Sequence, residues 1–594
     1  MTADAPARWQ ADAPSAIPLI IGITGHRDPR PDDLPALRAQ IRTIFEDLRA
    51  NYPETPLLVL SPLAEGADRL VAQVGLECGA QLVAPLPFPA DEYEKDCQHP
   101  NDAEQTRKCK AEFADLLARA SNHFVIPLVA GNTPENIQAY GPNRDHQYTA
   151  VGAYVARHSQ LLIALWDGTD TGLEGGTAEI VRFKLEGVPV PYGPPHHPLD
   201  VVDSGPVYHI LTPRQHHPPP QGTPLSLKKL FPAAHEPTVV TDDAYERILA
   251  RLNTFNRDAR RLASSLQEKL AANRAYVIPE EKAGGLSASA QRLLDQYAMA
   301  DTLALHFQRR RRWTLIALFT VAVLAVVSFE VYAHLLGRPL VLGLYPSLLM
   351  AAMAIYLWAR RQDYQNKHLD YRALAEGLRV QLFWHLAGLE DEVVEHYLRQ
   401  HRTELEWIRQ AIRACTTPAP RADHPSGSTA MPGRAETLKA FVLTHWVEDQ
   451  CRFFTSATDR DRNKLERHEG LAQALFVFGI LLAVAVVILH SALGESEGYA
   501  HWHHWLIVAM GTAPAIAAGM GGYAEKMVFS AQSKRYQWMS ALFTRANTRL
   551  QALLSQGKLA AARELIYDLG KEALEENGDW VMLHRERPLT PPRG

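Results

Sequence analysis

Four apolar segments in the second half of this 594-residue chain leave few folds open to it. They cover residues 313–336, 339–358, 471–493 and 505–520. Each approaches the roughly 20 residues that an α-helix needs to cross a bilayer core of about 30 Å. One such segment alone could be the core helix of a soluble domain. Four of them, in two pairs, predict two transmembrane hairpins and a lipid bilayer as a partner of the chain.

Positive charge flanks the segments on one side. The flanking basic residues are Arg309, Arg310, Arg311, Arg312, Arg360, Arg361, Arg460, Arg462, Lys464, Arg467, Lys526, Lys534 and Arg535. The connections inside the hairpins carry one basic residue, Arg338. By the positive-inside rule both hairpins begin and end in the cytoplasm, so a multi-pass protein with cytoplasmic N- and C-termini is predicted. Trp313, Trp358, Trp502 and Trp505 near the segment ends fit interfacial aromatic positions.

The two hairpins resemble copies of one unit. YRALAEGLRVQLFWHLAGL, from Tyr371, follows the second segment, and YQWMSALFTRANTRLQALL, from Tyr536, follows the fourth. Both stretches place an aromatic and two apolar residues on one helical face. We therefore predict hairpin units over 287–415 and 435–594. A linker rich in Pro, Ser, Gly and Ala separates them over 416–434.

Two features inside the apolar segments bear on their packing. Glu330 near the outer end of the first segment is expected to snorkel, with a pore-lining position as the alternative. Gly511, Ala515 and Gly519 recur at four-residue spacing beside Pro514. Small residues on one face predict close helix packing or oligomerisation.

Composition excludes several classes of function. A net charge of -5 gives no global basic field, so no nucleic-acid partner is expected. The cysteines are Cys78, Cys97, Cys109, Cys415 and Cys451. Their spacing predicts reduced thiols and supports neither a disulfide framework nor a zinc site. No metal and no cofactor are expected. His196-His197 and His216-His217 lie in a Pro-rich stretch and are expected in an exposed loop. Residues 1–16 lack an apolar signal core and are predicted to be a disordered tail.

The first third of the chain alternates apolar runs with helical stretches. The predicted strands are 17–24, 57–61, 81–84, 122–126, 161–166 and 207–211. This rhythm predicts an α/β, Rossmann-like, doubly wound parallel sheet over 17–222, followed by an all-α membrane region. A helical connector is expected over 223–286. After a break at Gly284 and Gly285, a helix over 287–312 should run directly into the first apolar segment.

Three glycine-containing loops follow predicted strands, at the edge where parallel sheets bind ligands: GITGHRD, SPLAEGADRLVA and WDGTDTGLEGGTAEIV. Glycines let the backbone approach an anion, and the helices opened by the last two loops offer amides to a phosphate. His26 and Arg27 offer donors, whereas Glu65 and Asp68 would accept ribose hydroxyls. The candidate ligand-binding residues are Thr24, Gly25, His26, Arg27, Ser61, Glu65, Gly66, Asp68, Asp167, Gly168, Gly175, Gly176, Thr177 and Glu179. These loops contain neither GxGxxG nor GxxxxGK[ST], which disfavours ordinary dinucleotide and P-loop sites.

The motifs Gly22–Asp28, Ser61–Ala72 and Gly175–Glu179 resemble those of the SLOG superfamily, the Rossmann-like fold of DprA-type and LOG-type proteins. The hairpins, followed by YRALAEGLRVQ and later by LGKEALEENGDWVMLHRERP, resemble SLATT domains, two-helix membrane effectors of bacterial conflict systems. The resemblance implies recognition of a nucleotide or NAD-derived signal. It also implies ion conduction or permeabilisation of the bacterial inner membrane by a homo-oligomer in anti-phage defence.

The resemblance also implies an enzymatic alternative. LOG-type phosphoribohydrolases carry a GGxGTxxE-like turn with a catalytic glutamate, and the turn here, GGTAE, is shorter by a glycine. Glu179, or alternatively Glu65, would be the catalytic residue of a membrane-tethered nucleotide N-glycosidase. As a first-turn residue Glu179 would otherwise complement the helix dipole. We favour ligand binding over hydrolysis. A third hypothesis is a membrane-anchored scaffold that binds no ligand.

Overall fold

The computed structural model describes residues 16–99, 102–195, 203–232, 242–398, 402–416, 434–493, 497–527 and 529–586. The predicted tail apart from Ala16, the predicted linker apart from Thr416 and Arg434, and the pair His196-His197 lie outside these residues.

A seven-stranded sheet forms the N-terminal part of the described chain. Its strands are β1 (Leu19–Gly25), β2 (Leu57–Leu60), β3 (Gln81–Leu86), β4 (Asn122–Val125), β5 (Leu161–Trp166), β6 (Val207–Leu211) and β7 (Leu227–Leu230). They lie in the order β4-β3-β2-β1-β5-β6-β7, and neighbours are parallel except for β6 and β7. The six predicted strands are confirmed. The sequence does not predict β7, which lies past residue 222, because its LKKL is short and mostly exposed.

Helices cover the sheet on both faces. They are α1 (Leu34–Asn51), α2 (Ala67–Glu77), α3 (Ala90–Tyr93), α4 (Ala103–Arg119), α5 (Pro142–His158) and α6 (Thr177–Glu186). α1 buries Leu37, Ile41, Ile44 and Leu48, whose spacing of three or four residues forms one helical face. The central strands are buried along most of their length, as expected for parallel strands covered on both sides.

The rest of the described chain is helical and is called the helical body below. Its helices are α7 (Asp242–Leu262), α8 (Gln267–Val277), α9 (Glu280–Ala283), α10 (Ala288–Val331), α11 (Pro339–Gln362), α12 (Tyr364–Ala387), α13 (Arg402–Thr416), α14 (Arg434–Thr437), α15 (Glu448–Leu493), α16 (Glu497–Met527), α17 (Phe529–Ser555) and α18 (Leu559–Arg585). π-Helical stretches extend α10 over Tyr332–Leu336 and precede α15 over Leu438–Val447.

Among the described residues, four helical stretches, centred on α10, α11, α15 and α16, are long and apolar enough to cross a membrane. α10 runs without interruption from its Ser287 cap through the first apolar segment, which confirms the predicted continuous helix. Many large apolar side chains on these helices are exposed, including Phe329, Leu340 and Leu481. Trp313 is 68% exposed. So much exposed apolar surface indicates contact with lipid or with another protein.

The small-residue face of α16 packs against α10. A Cβ built at Gly511 would lie 2.7 Å from the Glu330 carboxyl group, and one at Gly522 would lie 2.9 Å from the Phe319 ring. On the other side of α16, Pro514 approaches Gly479 of α15. Close packing is therefore confirmed for this face, and it occurs within the chain.

The sheet joins the helical body at the amino ends of its strands. The Asn256 side chain on α7 hydrogen-bonds both backbone polar groups of Ile17, just before β1, at 3.0 and 2.9 Å. Tyr371 of α12 donates to Asp258 of α7 at 2.8 Å and packs edge-on against Phe255. One buried apolar cluster continues from the sheet into α7, α10, α12 and α18. The sheet and the helical body therefore share a core.

Charged groups tie the end of α5 to the helical body. Arg157 lies 2.9 Å from Glu392 and 2.8 Å from Glu395, two acids in the segment after α12. His158 Nε2 lies 3.2 Å from Glu392. Burial opposes ionisation of Glu392, but Arg157 and His158 outweigh it and hold the pKa of that carboxyl well below its usual range. The glutamate is therefore a charged partner at neutral pH.

Cys97 and Cys109 form a disulfide, with Cα atoms 5.5 Å apart. The prediction that all the cysteines are reduced thiols is therefore wrong for this pair. α4 begins at Ala103 and brings Cys109 back beside Cys97, an approach that the spacing alone does not reveal.

Candidate functional site

Loops after β1 and β5 meet at the carboxyl edge of the sheet, where the strand order changes direction. His26 follows β1 and Asp167 follows β5. His26 Nε2 lies 3.2 Å from the Asp167 carboxylate and accepts the Asp167 backbone N–H at 3.1 Å. Burial lowers the pKa of His26, although Asp167 opposes this. A switch point of this kind is the general ligand position in open parallel sheets.

The loop after β2 lies directly against the loop after β1. Gly66 caps α2 with a φ of +87°, and a Cβ there would overlap the Arg27 carbonyl. The Ala67 N–H donates to the His26 carbonyl at 3.1 Å. The prediction that Gly66 opens a helix is confirmed, and the positive φ and close backbone approach explain why glycine stands there.

One exposed and one buried charged group lie where the loops after β1 and β2 meet. Arg27 is exposed, and its guanidinium carbon lies 5.4 Å from the centre of the Tyr148 ring. Asp68 is buried in the first turn of α2, and burial raises the pKa of its carboxyl to about 7, with Arg27 opposing. A carboxyl group that titrates near neutral pH beside a guanidinium is typical of binding and catalytic sites.

The third predicted loop is closed by its own glutamate. The Glu179 carboxylate accepts the Gly175 N–H at 2.7 Å, and Gly176 precedes α6 as predicted. A Cβ at Gly175 would lie 3.1 Å from Thr149 Oγ1 of α5. Glu179 therefore stabilises the loop from the first turn of α6. This contact favours a structural role for Glu179 over a catalytic one.

Burial separates the predicted site residues into groups. Thr24, Ser61 and Asp68 are buried, Arg27 and Gly168 are exposed, and the others are half-buried. Ser61 Oγ accepts a backbone N–H two residues further along the chain at 3.1 Å. Ser61 therefore shapes the loop, whereas the exposed and half-buried groups can meet a ligand.

Residues at the start of α5 complete this edge and are not predicted by sequence reasoning. Arg144 is buried and donates to Asp96 at 2.6 Å, to Glu92 at 3.0 Å and to the Tyr148 hydroxyl at 2.8 Å. Tyr148 donates in turn to Asp96. The sequence feature that could have indicated these residues is Pro142, which is typical of a helix start. In a helix that begins there, Arg144 and Tyr148 lie about one turn apart on the same face.

Glu65 turns to a neighbouring cluster. Its carboxylate lies 3.1 Å from His99 Nε2, and Glu65, His99 and Cys109 each place one possible metal ligand within 4.8 Å of the others. The Arg69 guanidinium, however, contacts the sulfurs of Cys109 and Cys97 at 3.2 and 3.3 Å. A disulfide sulfur is not a thiolate ligand, and the guanidinium would repel a cation. The cluster therefore does not favour a metal.

The structure thus brings His26, Arg27, Gly66 and Asp167 together and places Tyr148 beside them. These groups can bind an anion through Arg27 and backbone amides, and stack a planar group on Tyr148. No known protein family matches this chain, and no curated protein of related sequence was found.

Proposed function

We propose that this chain is a membrane effector whose sheet domain binds a nucleotide or NAD-derived signal. The four apolar helices respond by conducting ions or permeabilising the bilayer. In this proposal the chain is a SLOG-like sensor fused to two SLATT-like units in the bacterial inner membrane, with cytoplasmic termini and a role in anti-phage defence. Four spans make a poor pore alone, so a homo-oligomer is part of the proposal.

The proposal rests on α5, which contacts the candidate site at one end and the helical body at the other. Its first turns hold Arg144 and Tyr148 at the candidate site, and its last residues, Arg157 and His158, pair with Glu392 of the helical body. Its 17 residues extend about 25 Å at about 1.5 Å per residue. One rigid element therefore connects the candidate site to the opposite edge of the sheet, where the helical body attaches.

Ligand and membrane are connected in two further steps. A ligand phosphate that draws Arg27 away from Tyr148 would change the packing at the start of α5. The shared core would pass this change to α10, which continues into the first apolar segment. A ligand shifts the equilibrium between two arrangements only by its difference in affinity for them. The proposal therefore requires tighter binding to the open arrangement.

Binding to the purified full chain in detergent tests the sensor. A panel of ADP-ribose, NAD and cyclic nucleotides is titrated while the thermal midpoint is recorded. At least one ligand is expected to raise the midpoint, and Arg27→Gln should weaken its binding by about tenfold or more, as expected for a charge-assisted hydrogen bond. Arg119→Gln, an exposed change at the far end of α4, is the control. Absence of binding by the whole panel would refute the sensor and favour the scaffold reading.

The enzymatic alternative has a separate test. Wild type and Glu179→Gln are incubated with NAD and with nucleoside monophosphates, and release of the free base is measured. The sensor proposal expects no turnover by either protein. Turnover that disappears in Glu179→Gln would establish the N-glycosidase instead.

A further inference from the structure

A partly open cavity of about 740 Å³ lies between helices of the helical body, apart from the sheet. Its walls come from α10, α12, α15, α16, α17 and α18, at the level where the apolar stretches of α10 and α15 begin and that of α16 ends. Pockets for small molecules typically have volumes of about 300–1,000 Å³. The cavity is therefore large enough for a ligand of that class.

The lining is strongly positive. Seven arginine or lysine side chains and two glutamates line the cavity. Two of the arginines are compensated: Arg372 pairs with Asp301, and Arg379 pairs with Glu376, both at 2.5 Å. Burial raises the pKa of the other glutamate, Glu576, to about 7, so it offsets only part of the remaining positive charge at neutral pH.

Four other arginines line the cavity: Arg309, Arg311, Arg312 and Arg460. Within the described ranges, no carboxylate forms an ion pair with Arg309, Arg312 or Arg460. Basic residues beside an apolar helix are expected from membrane topology alone, and that accounts for exposed side chains that reach lipid headgroups. Arg309, Arg312 and Arg460 are exposed, but they also line one cavity, which they reach from two different helices, α10 and α15.

Arg311 is the most informative member of the lining. It is only 5% exposed, and one guanidinium N–H group donates to the Lys526 carbonyl at 3.3 Å. Its Nε is buried and has no hydrogen-bond partner among the described residues, and the same is true of Arg379 Nε. A buried guanidinium without a full set of acceptors is costly unless water or an anion supplies them, and the positive lining of this cavity favours an anion. The cavity is where such an anion would lie.

Aromatic side chains form another part of the lining. Phe454 packs against Tyr536 and Phe543, with ring centres 5.7 and 5.6 Å apart. Cations and an apolar aromatic surface in one cavity suit a ligand that combines a phosphate with an apolar or planar group.

We propose that this cavity binds a phosphate-bearing ligand, held by Arg311, Arg312 and Arg460 and packed through its apolar or planar part against Phe454. Arginine suits this role because its planar donors match phosphate oxygens in pairs. The phosphate belongs either to an anionic lipid or to a free nucleotide. This site is separate from the sheet edge, and the inference does not depend on the sensor proposal.

Thermal titration of the delipidated full chain in uncharged detergent tests the inference. The probes are inorganic pyrophosphate, ADP, phosphatidylglycerol, and phosphatidylcholine of the same acyl chains as a zwitterionic control. All proteins carry Arg27→Gln, so that nucleotide binding at the sheet edge is weakened throughout. Arg312→Gln/Arg460→Gln is compared with Arg545→Gln/Arg549→Gln, exposed changes on α17 that do not line the cavity.

At least one phosphate probe should raise the thermal midpoint saturably, with an apparent Kd at least about tenfold weaker in the cavity variant and unchanged in the control. A response to pyrophosphate or ADP assigns a free phosphate ligand, and a response confined to phosphatidylglycerol assigns a lipid. No response to any phosphate probe would overturn the inference. An equal response to phosphatidylcholine, or an unchanged Kd in the cavity variant, would overturn it as well.

Discussion

Glu392→Gln should weaken the attachment of α5 to the helical body without changing the shape of the side chain. Glu392 is about one-sixth exposed and contacts Arg157 at 2.9 Å and His158 at 3.2 Å. Breaking a fully buried ion pair costs about 3–5 kcal/mol. Arg157 keeps Glu395 at 2.8 Å. We therefore expect a loss of about 2 kcal/mol, typical of one hydrogen bond between charged groups.

The assay is thermal unfolding of the purified full chain, with Asp391→Asn as the matched control. Asp391 is exposed, and the change removes the same charge one residue earlier. At about 2–4 °C per kcal/mol, the transition of the sheet domain should fall by about 4–8 °C in Glu392→Gln and by less than about 1 °C in the control. Because the pKa of Glu392 is lowered by folding, its contribution is complete at pH 7 and is lost as the pH falls below the ordinary glutamate pKa of about 4.3. Equal transitions in the two variants at pH 7 would refute the reasoning.

Three further changes test the site and the packing of the apolar helices. Gly66→Ala places a Cβ against a backbone carbonyl at a position with positive φ. It should lower the free energy of unfolding by about 1–3 kcal/mol more than Gly131→Ala, where φ is also positive but nothing lies within 4 Å. Thermal midpoints compare the two variants. Gly522→Leu should separate α16 from α10 and lower the midpoint in detergent, whereas Gly521→Leu on an open face should not, and equal effects would contradict the packing. Asp68 has its pKa raised from 3.8 to about 7 by burial, so wild-type stability should fall relative to Asp68→Asn as the pH rises through this interval, and parallel pH profiles would exclude the raised pKa.

Apolar patterning predicts most of the fold because strands that are buried on both sheet faces and helices that are apolar enough to cross a membrane both contain long apolar runs. The central strands and the continuous α10 follow from such runs. β7 does not, because an exposed edge strand needs no apolar residues.

The rest of the site depends on tertiary approach. Arg144 and Tyr148 reach the strand ends only because α5 folds back across the sheet. Cys97 and Cys109 meet only through the return of α4. The sequence does not reveal the cavity for a similar reason. From the sequence, Arg311 and Arg460 are interpreted as residues that flank apolar segments, and only the structure shows that α10 and α15 bring them to the same cavity.

Flux from proteoliposomes tests the central proposal most directly. The full chain is reconstituted into dye-loaded vesicles, and release is followed after addition of ADP-ribose, NAD or cyclic nucleotides to wild type, Arg27→Gln and Arg119→Gln. The account predicts ligand-dependent release by wild type and Arg119→Gln, with the dose response of Arg27→Gln shifted by about tenfold or more. No release with any ligand from oligomeric protein, or release that is equal in wild type and Arg27→Gln, would contradict it.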